Sequence, residues 1–352
     1  MTATSTPIAP VDARGPRLPE GSDRTPVIDR RGLRRRVLTM AVLAVCGVTA
    51  LLAVPSLRPV LGEIGAMNPA LVAAAVALEL ASCLSFVIIF RRFFRPVPRR
   101  AAREMAWSQM GSGALLPGGG IGSLAVGGWL LHLAGMPTRE IVRRSSGLFF
   151  LTSAINVLTL GAAGLLLLIG IADGPHDALR AGLPVVAALG ASALVLGLPR
   201  LTRRVSRERA ARTWADEISA GITAARDALL APSWRLLGAV GYLLFDITVL
   251  WATFAALGPA PPLAPLAVAY LAGYLANAIP VPGGIGVLDA GLIGALALYG
   301  LPVTHAAAAV LVYHAIAFWI PTLGGTLAYT RLRGHLRPDD EPVPGVSGSA
   351  AS

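Results

Sequence analysis

The sequence predicts an all-α polytopic membrane protein, with about six transmembrane helices and two re-entrant helical hairpins in an inverted repeat. Three observations support this fold class. The chain of 352 residues is 55% hydrophobic and only 14% charged, with a mean hydropathy of +0.66. Short clusters of arginine separate its apolar runs, and a Pro-Gly-Gly motif occurs twice. Because soluble domains carry about 25% charged residues, this chain lacks the side chains to cover a water-facing surface.

The same composition excludes two other classes of protein. Disordered chains are poor in apolar residues, so the chain as a whole is not disordered. A disulfide framework is excluded because the two cysteines, Cys46 and Cys83, both lie inside apolar runs.

Six apolar runs are about long enough to cross a bilayer, whose hydrocarbon core is about 30 Å thick. They comprise residues 37–54, 68–90, 142–171, 183–198, 234–257 and 306–329, and the third span is expected to start near Gly147. These runs define a membrane domain over residues 37–330. The polar segments on either side, residues 1–36 and 331–352, are predicted to be disordered basic tails.

Two further apolar segments, residues 105–134 and 262–299, are each interrupted by a motif rich in proline and glycine. Proline removes a backbone donor and glycine has a low helix propensity, so a continuous helix through either motif is disfavoured. The flanking halves are too short to cross the hydrocarbon core. Each segment is therefore predicted to enter and leave the membrane on one side as a helical hairpin. Its irregular tip must be buried in protein or line a wet cavity.

The arginines predict the orientation. All 30 basic residues are arginine. With the N-terminus inside, every arginine except Arg58 and Arg180 lies on the cytoplasmic side, as the positive-inside rule requires. An alternative topology, with two full spans in place of each hairpin, would put the arginines on the same sides of the membrane. We expect a multi-pass plasma membrane protein with both termini cytoplasmic.

The arginines lie between apolar runs, a placement that indicates membrane topology. No nucleic-acid partner is therefore expected.

The chain contains an internal repeat with reversed orientation. The motif at residues 117–119 aligns with that at 282–284, an offset of 165 positions. Repeat one covers about 37–171 and repeat two about 182–330, and each has the order span, span, hairpin, span. Because three spans separate the hairpins, the second copy is inverted relative to the first. Inverted repeats with broken helices at corresponding positions indicate the central site of a transporter.

The two glycine tips are the first candidate binding residues. The helix after each tip is predicted to start at Gly122 or Gly286 and to point unpaired N–H groups toward the middle of the bilayer. Its dipole favours an anion such as phosphate. Alternatively, the motifs are packing kinks without a ligand. The candidate substrate-binding residues of the tips are Pro117, Gly118, Gly119, Gly120, Gly122, Pro282, Gly283, Gly284 and Gly286.

Four ionisable residues inside apolar segments are further candidate substrate-binding residues, since charge is unfavourable there. Glu79 and Asp246 occupy nearly equivalent repeat positions, Asp289 follows the second tip, and His314 lies in the sixth span. They would tune recognition of a headgroup or couple protons. The alternatives are structural: hydrogen-bond partners for Glu79 and Asp246, a favourable dipole interaction for Asp289, and a packed side chain for His314.

Enzymatic signatures are weak. The sequence has no His or Cys cluster at metal-ligand spacing, no P-loop lysine and no G-x-S-x-G motif. We therefore expect no catalytic residues, no metal and no cofactor, and a protein that is not an enzyme.

The two motifs resemble the signatures of a known family. One is Leu116–Gly122 with Trp129 and Gly135 after it, and the other is Pro280–Ala290 with Tyr313-His314 after it. Both are similar to flippase-like membrane proteins related to the transmembrane region of lysylphosphatidylglycerol synthases, over about residues 34–333. The resemblance implies a lipid-translocating helical bundle. The best-understood members move an aminoacylated phosphatidylglycerol between leaflets, and others accompany glycolipid or polyprenyl-linked pathways.

These observations leave three functions open. The first is a flippase for a phospho- or polyprenyl-linked lipid with an anionic headgroup, with the membrane lipid as substrate and cell-envelope biosynthesis enzymes as partners. The second is a non-transporting accessory subunit of a cell-envelope lipid or glycan synthesis system, in which the polar residues would tolerate substitution. The third is a membrane-embedded transferase, which needs a polar cluster at one interface. We expect no lysyl transfer, because no soluble synthase domain follows the last span.

Overall fold

The computed structural model describes residues 58–116, 120–205, 209–230, 236–274 and 287–336. This part of the chain is helical and contains no strand. A short π-helical turn at Ala178–Gly182 precedes the sixth helix. In chain order the helices are α1 (Arg58–Ala66), α2 (Pro69–Phe93), α3 (Arg99–Leu115), α4 (Gly120–Leu133), α5 (Thr138–Leu168), α6 (Leu183–Val205), α7 (Arg209–Leu230), α8 (Leu237–Leu257), α9 (Leu263–Gly273), α10 (Val287–Leu298) and α11 (Val303–Leu336).

The predicted all-α polytopic fold class is confirmed. Five segments within the described residues are long and apolar enough to cross a membrane: Pro69–Phe93, Thr138–Leu168, Ala178–Gly197, Leu237–Leu257 and Val303–Leu332. They correspond to the second to sixth predicted spans. The first predicted span, residues 37–54, the tail 1–36 and residues 337–352 of the second tail lie outside the described residues. The second tail was predicted to begin at residue 331, but residues 331–336 continue helix α11.

Helix α5 begins nine residues before the expected start at Gly147. Its first turns are polar, and ion pairs hold them: Arg139 lies 3.1 Å from Glu217, and Arg144 lies 2.6 Å from Glu140. The helix therefore extends beyond its apolar run, which hydropathy alone does not reveal.

The two broken segments form two pairs of short helices, α3 with α4 and α9 with α10. The members of each pair pack against each other. A Cβ at Gly127 would lie 2.3 Å from the Gln109 side chain, and one at Gly273 would lie 2.7 Å from the Leu292 Cα. Residues 117–119 and 275–286, which contain most of both motifs, lie outside the described residues. Entry of these pairs into the membrane from one side stays a prediction.

Long helices from the two halves hold the bundle together. Helix α2 packs along α8, where a Cβ at Gly238 would lie 2.9 Å from the Ser85 carbonyl oxygen. Helix α11 packs on α3, and α5 packs on α9. The last span of each half thus contacts the first short helix of the other half. These contacts between the halves place residues from both of them around one central cavity.

Candidate functional site

A cavity of about 340 Å³ lies between the long helices and the short pairs. Its lining includes Glu79 on α2, Asp246 on α8 and His314 on α11. The structure therefore brings together three of the four ionisable residues that the sequence places inside the membrane. The fourth, Asp289, contacts His314.

Asp246 accepts hydrogen bonds from two tyrosines on other helices. The hydroxyl of Tyr313 on α11 donates to Oδ1 at 3.1 Å, and the hydroxyl of Tyr270 on α9 donates to Oδ2. The two hydroxyls lie 3.5 Å apart. Both tyrosines are buried. Because phenol donors satisfy both oxygens, the carboxylate ties α8, α9 and α11 together at the cavity wall.

Glu79 is buried, with an exposed fraction of 5%. The thiol of Cys83, one helical turn away, lies 3.5 Å from its Oε1 and donates to it. Its Oε2 has no hydrogen-bond partner among the described residues. A buried acceptor without a partner costs about 1–3 kcal/mol. Glu79 therefore lines the cavity while one of its oxygens is covered and unsatisfied within the described residues.

His314 and Asp289 form a close polar contact. The Nδ1 atom of His314 lies 2.6 Å from Oδ1 of Asp289, in the first turn of α10. A carboxylate at this distance favours the tautomer that carries the proton on Nδ1. Asp289 thus orients the ring of His314 in the wall of the cavity, in addition to any interaction with the dipole of α10.

Aromatic and small polar side chains complete the cavity wall. Sequence reasoning did not select them, because phenol and hydroxyl groups do not stand out in apolar runs. The hydroxyl of Ser123 donates to the carbonyl oxygen of Gln109 at 3.0 Å and joins α4 to α3. The further lining residues are Ser82, Phe86, Gln109, Phe149, Thr152, Tyr242, Tyr274 and Phe318.

The repeat itself could have identified several of these residues. Some lining residues pair across the two halves at the same offset of 165 positions that relates the two Pro-Gly-Gly motifs. The cavity is thus lined by corresponding positions of both halves. The pairs are Gln109 with Tyr274, Ser123 with Leu288, Leu148 with Tyr313, Phe149 with His314, and Thr152 with Ala317.

The predicted glycine tips lie mostly outside the described residues: Pro117, Gly118, Gly119, Pro282, Gly283, Gly284 and Gly286. Helix α4 starts at Gly120, two residues before the expected start at Gly122. Gly122 is partly exposed, and its neighbour Ser123 lines the cavity. The phosphate site at the tips stays a prediction.

The carboxylate and imidazole groups of the described cavity wall are those of Glu79, Asp246 and His314. No basic side chain other than His314 lines this part of the cavity. Within the described ranges, no three His, Cys, Asp or Glu side chains converge to hold a metal ion. The wall is suited to accept hydrogen bonds from hydroxyl or amine groups and to pack against aromatic-sized or apolar groups.

Comparison with known proteins gives two matches. Residues 35–325 match the model of the family described as lysylphosphatidylglycerol synthase TM region. A UPF0104 membrane protein of Methanothermobacter thermautotrophicus is 32% identical over 90 residues, which make up 25% of this chain and 26% of that protein. The chain thus spans about a quarter of the length of this curated relative.

Proposed function

Since the chain belongs to the family of the lysylphosphatidylglycerol synthase transmembrane region, we propose that it is a lipid flippase of the plasma membrane. It would move a phospho- or polyprenyl-linked lipid with an anionic headgroup between the leaflets. One observation carries the proposal: a polar cavity among membrane spans that collects Glu79, Asp246 and His314. Charged residues in the membrane are rare and mark substrate or ion pathways.

The arrangement of the two halves supports transport over a scaffolding role. The cavity is lined by residue pairs at the repeat offset, and the last span of each half contacts the broken segment of the other. Transporters built from inverted repeats bind substrate at the interface between the repeats, next to broken helices. An accessory subunit has no comparable need for a polar cavity at this interface.

The chemistry of the wall suggests how a headgroup would bind. The phosphate would meet the helix N-termini at the glycine tips, where backbone N–H groups favour an anion. Glu79 and Asp246 would accept hydrogen bonds from hydroxyl or amine groups that the headgroup carries beyond its phosphate. Phenol and phenyl rings would pack against its apolar faces. In this proposal the chain transports lipid and is not an enzyme, and enzymes of cell-envelope biosynthesis would supply or use the lipid.

Reconstituted transport tests the proposal. The full chain would be placed in proteoliposomes with fluorescent lipids of several headgroups, and the labelled lipid in each leaflet would be measured over time. We expect the wild type to move at least one headgroup. The variant Asp246→Asn, which disturbs the phenol contacts, should slow transport about tenfold, equivalent to about 1.4 kcal/mol in the barrier.

Asp173→Asn is the matched control, because Asp173 is an exposed carboxylate in the loop after α5. It should transport at the wild-type rate. Folded wild-type protein that moves no headgroup, or wild-type rates for Asp246→Asn, would overturn the proposal.

A further inference from the structure

A second polar site lies at one end of the bundle, where arginines converge between helices. Two cavities, of about 430 and 500 Å³, share Arg92 and Arg95 in their linings. We treat them as one site, the arginine groove. Its arginines come from the end of α2, the link to α3, the start of α3 and the first turns of α5, and are Arg91, Arg92, Arg95, Arg99, Arg143 and Arg144.

Most of the arginines of the groove form no ion pair within the described part of the chain. Glu140, which lies 2.6 Å from Arg144, is the acidic partner of one of the six arginines. Among the described residues, no acidic side chain lines either cavity. Arg91, Arg95, Arg99 and Arg143 are exposed and form no ion pair with a described residue. Like charges held close together repel each other, so an anion in the groove would be stabilised by all of them.

Apolar side chains form the other walls. Ile88, Phe94 and Val97 line one cavity, and Ala224 and Ala228 of α7 line the other. The groove lies at the end of a membrane span, where basic pockets between helices bind acidic lipid headgroups. Guanidinium groups bind phosphate oxygens in pairs, and the apolar wall suits the hydrophobic part of an amphipathic ligand.

The groove is separate from the central cavity. On α2 the cavity is lined by Glu79, Ser82, Cys83 and Phe86, whereas the groove is lined by residues 88, 91, 92 and 93. The two linings share no residue, and the α2 residues of the groove lie nearer the end of the helix. A ligand in the groove therefore does not occupy the proposed transport site.

The arginines of the groove are not part of the internal repeat. In the second half of the chain, all six corresponding positions are small or apolar. The positive-inside rule accounts for arginines on one side of the membrane, but it does not require them to converge on a cavity. The corresponding residues, each 165 positions later, are Ala256, Leu257, Ala260, Ala264, Ala308 and Ala309.

The helices that border the groove pack closely against each other. The Arg144 guanidinium donates a hydrogen bond to the carbonyl oxygen of Phe93. A Cβ at Gly147 would lie 2.7 Å from the ring of Phe93, and one at Gly221 would lie 2.9 Å from the backbone nitrogen of Gly147. Helices α2, α5 and α7 thus meet without room to shift, and a preformed site needs little ordering when its ligand binds.

We propose that the arginine groove binds a phosphate-bearing anion. Both an acidic phospholipid headgroup and a soluble phosphate ester carry this chemistry. To distinguish them, the full chain in detergent would be titrated with short-chain phosphatidylglycerol, short-chain phosphatidylcholine, glycerol phosphate and inorganic phosphate, with binding followed by thermophoresis. We expect phosphatidylglycerol to bind more tightly than phosphatidylcholine. If glycerol phosphate binds equally well, the ligand is the soluble ester, and if it does not, the ligand is the lipid.

Two doubly substituted variants complete the test. Arg91→Gln with Arg95→Gln removes two exposed groups of the groove and should weaken binding about tenfold, from the loss of charge-assisted hydrogen bonds. Arg226→Gln with Arg331→Gln changes the net charge equally but alters neither cavity lining. This control should bind within about twofold of the wild type. Equal losses in both variants at unchanged melting temperature, or equal binding of phosphatidylcholine, would overturn the proposal.

Discussion

Asp246 and Glu79 occupy similar positions in the two halves, but their carboxylate oxygens differ in the hydrogen bonds that they accept. Tyrosine hydroxyls donate to both oxygens of Asp246, so this residue also holds helices together. Glu79 keeps one oxygen without a partner among the described residues. The two carboxylates should therefore respond differently to removal of their charge.

The variant Glu79→Gln is expected to separate function from stability. The amide keeps an acceptor for the Cys83 thiol and removes a charged group from a buried position, so the melting temperature should stay the same or rise. Transport should fall about tenfold, because a neutral amide binds a donor less strongly than a carboxylate. Melting curves and leaflet-exchange rates on one preparation measure both effects.

Glu63→Gln is the matched control for this prediction. Glu63 lies on α1, 3.6 Å from His305, and does not line the cavity. Its substitution should leave transport unchanged. Wild-type transport by Glu79→Gln would remove this residue from the site, and a fall in melting temperature would make its role structural.

At the scale of single residues, the sequence predicted part of the cavity. Glu79, Asp246 and His314 were found because ionisable groups are rare in membrane spans. Tyr270 and Tyr274 were missed because a tyrosine in an apolar run is ordinary. The pairing of Asp289 with His314 was also missed, because it joins residues on α10 and α11 whose contact depends on helix packing.

At the scale of elements, glycines set how closely helices approach. Helices α3 and α11 cross at Gly111 and Gly325, where a Cβ at Gly325 would lie 2.5 Å from the Trp107 carbonyl oxygen. Small residues at such crossings let two backbones come into contact, which stabilises helix pairs in a membrane. The glycine is needed here for space, since its backbone lies inside a regular helix.

The variant Gly325→Leu should therefore lower the free energy of unfolding by on the order of 3 kcal/mol, the upper end of overpacking penalties. Gly190→Leu, in α6, is the control, since a Cβ there meets nothing within 4 Å. It should be neutral or stabilising, because leucine favours helix more than glycine does. Unfolding curves in detergent measure both. Equal stability of the two variants would contradict this account of the crossing.

The ends of the helices were only partly predictable. Proline and glycine predicted where both broken segments are interrupted, because each disfavours helix by its own backbone chemistry. The early start of α5 was not predicted, since its polar first turns depend on the ion pair of Arg139 with Glu217 on α7. That contact joins residues far apart in the sequence.

At the scale of the whole molecule, the arginine distribution predicts one orientation in the membrane. Reporter enzymes fused after residue 173 and after residue 336 test it. A phosphatase that is active only outside the cytoplasm should work at 173, and a fluorescent protein that folds only inside should work at 336. The reciprocal fusions are the controls and should be inactive. The reverse pattern would overturn the predicted orientation and place the arginine groove outside.

The membership in a lipid-related membrane family confirms the resemblance seen in the two glycine motifs. Function was less accessible from the sequence than family. Hydropathy and motifs do not reveal which ligand the cavity accommodates, because this depends on the side chains that surround the cavity. The arginine groove shows the same limit. In the sequence, its six arginines are explained by the positive-inside rule alone, and nothing indicates that they converge.

The sequence by itself determined the all-α fold class, the five described spans, the places where two helices break, and three ionisable residues of the cavity. Each of these follows from local properties: hydropathy over a window, the backbone chemistry of proline and glycine, and the cost of charge in lipid. Only the tertiary structure decided that Tyr270 and Tyr313 hold Asp246, and that arginines from α2, the link after it, α3 and α5 form one groove. These contacts depend on how helices far apart in the sequence pack, and side-chain geometry at their crossings sets that packing.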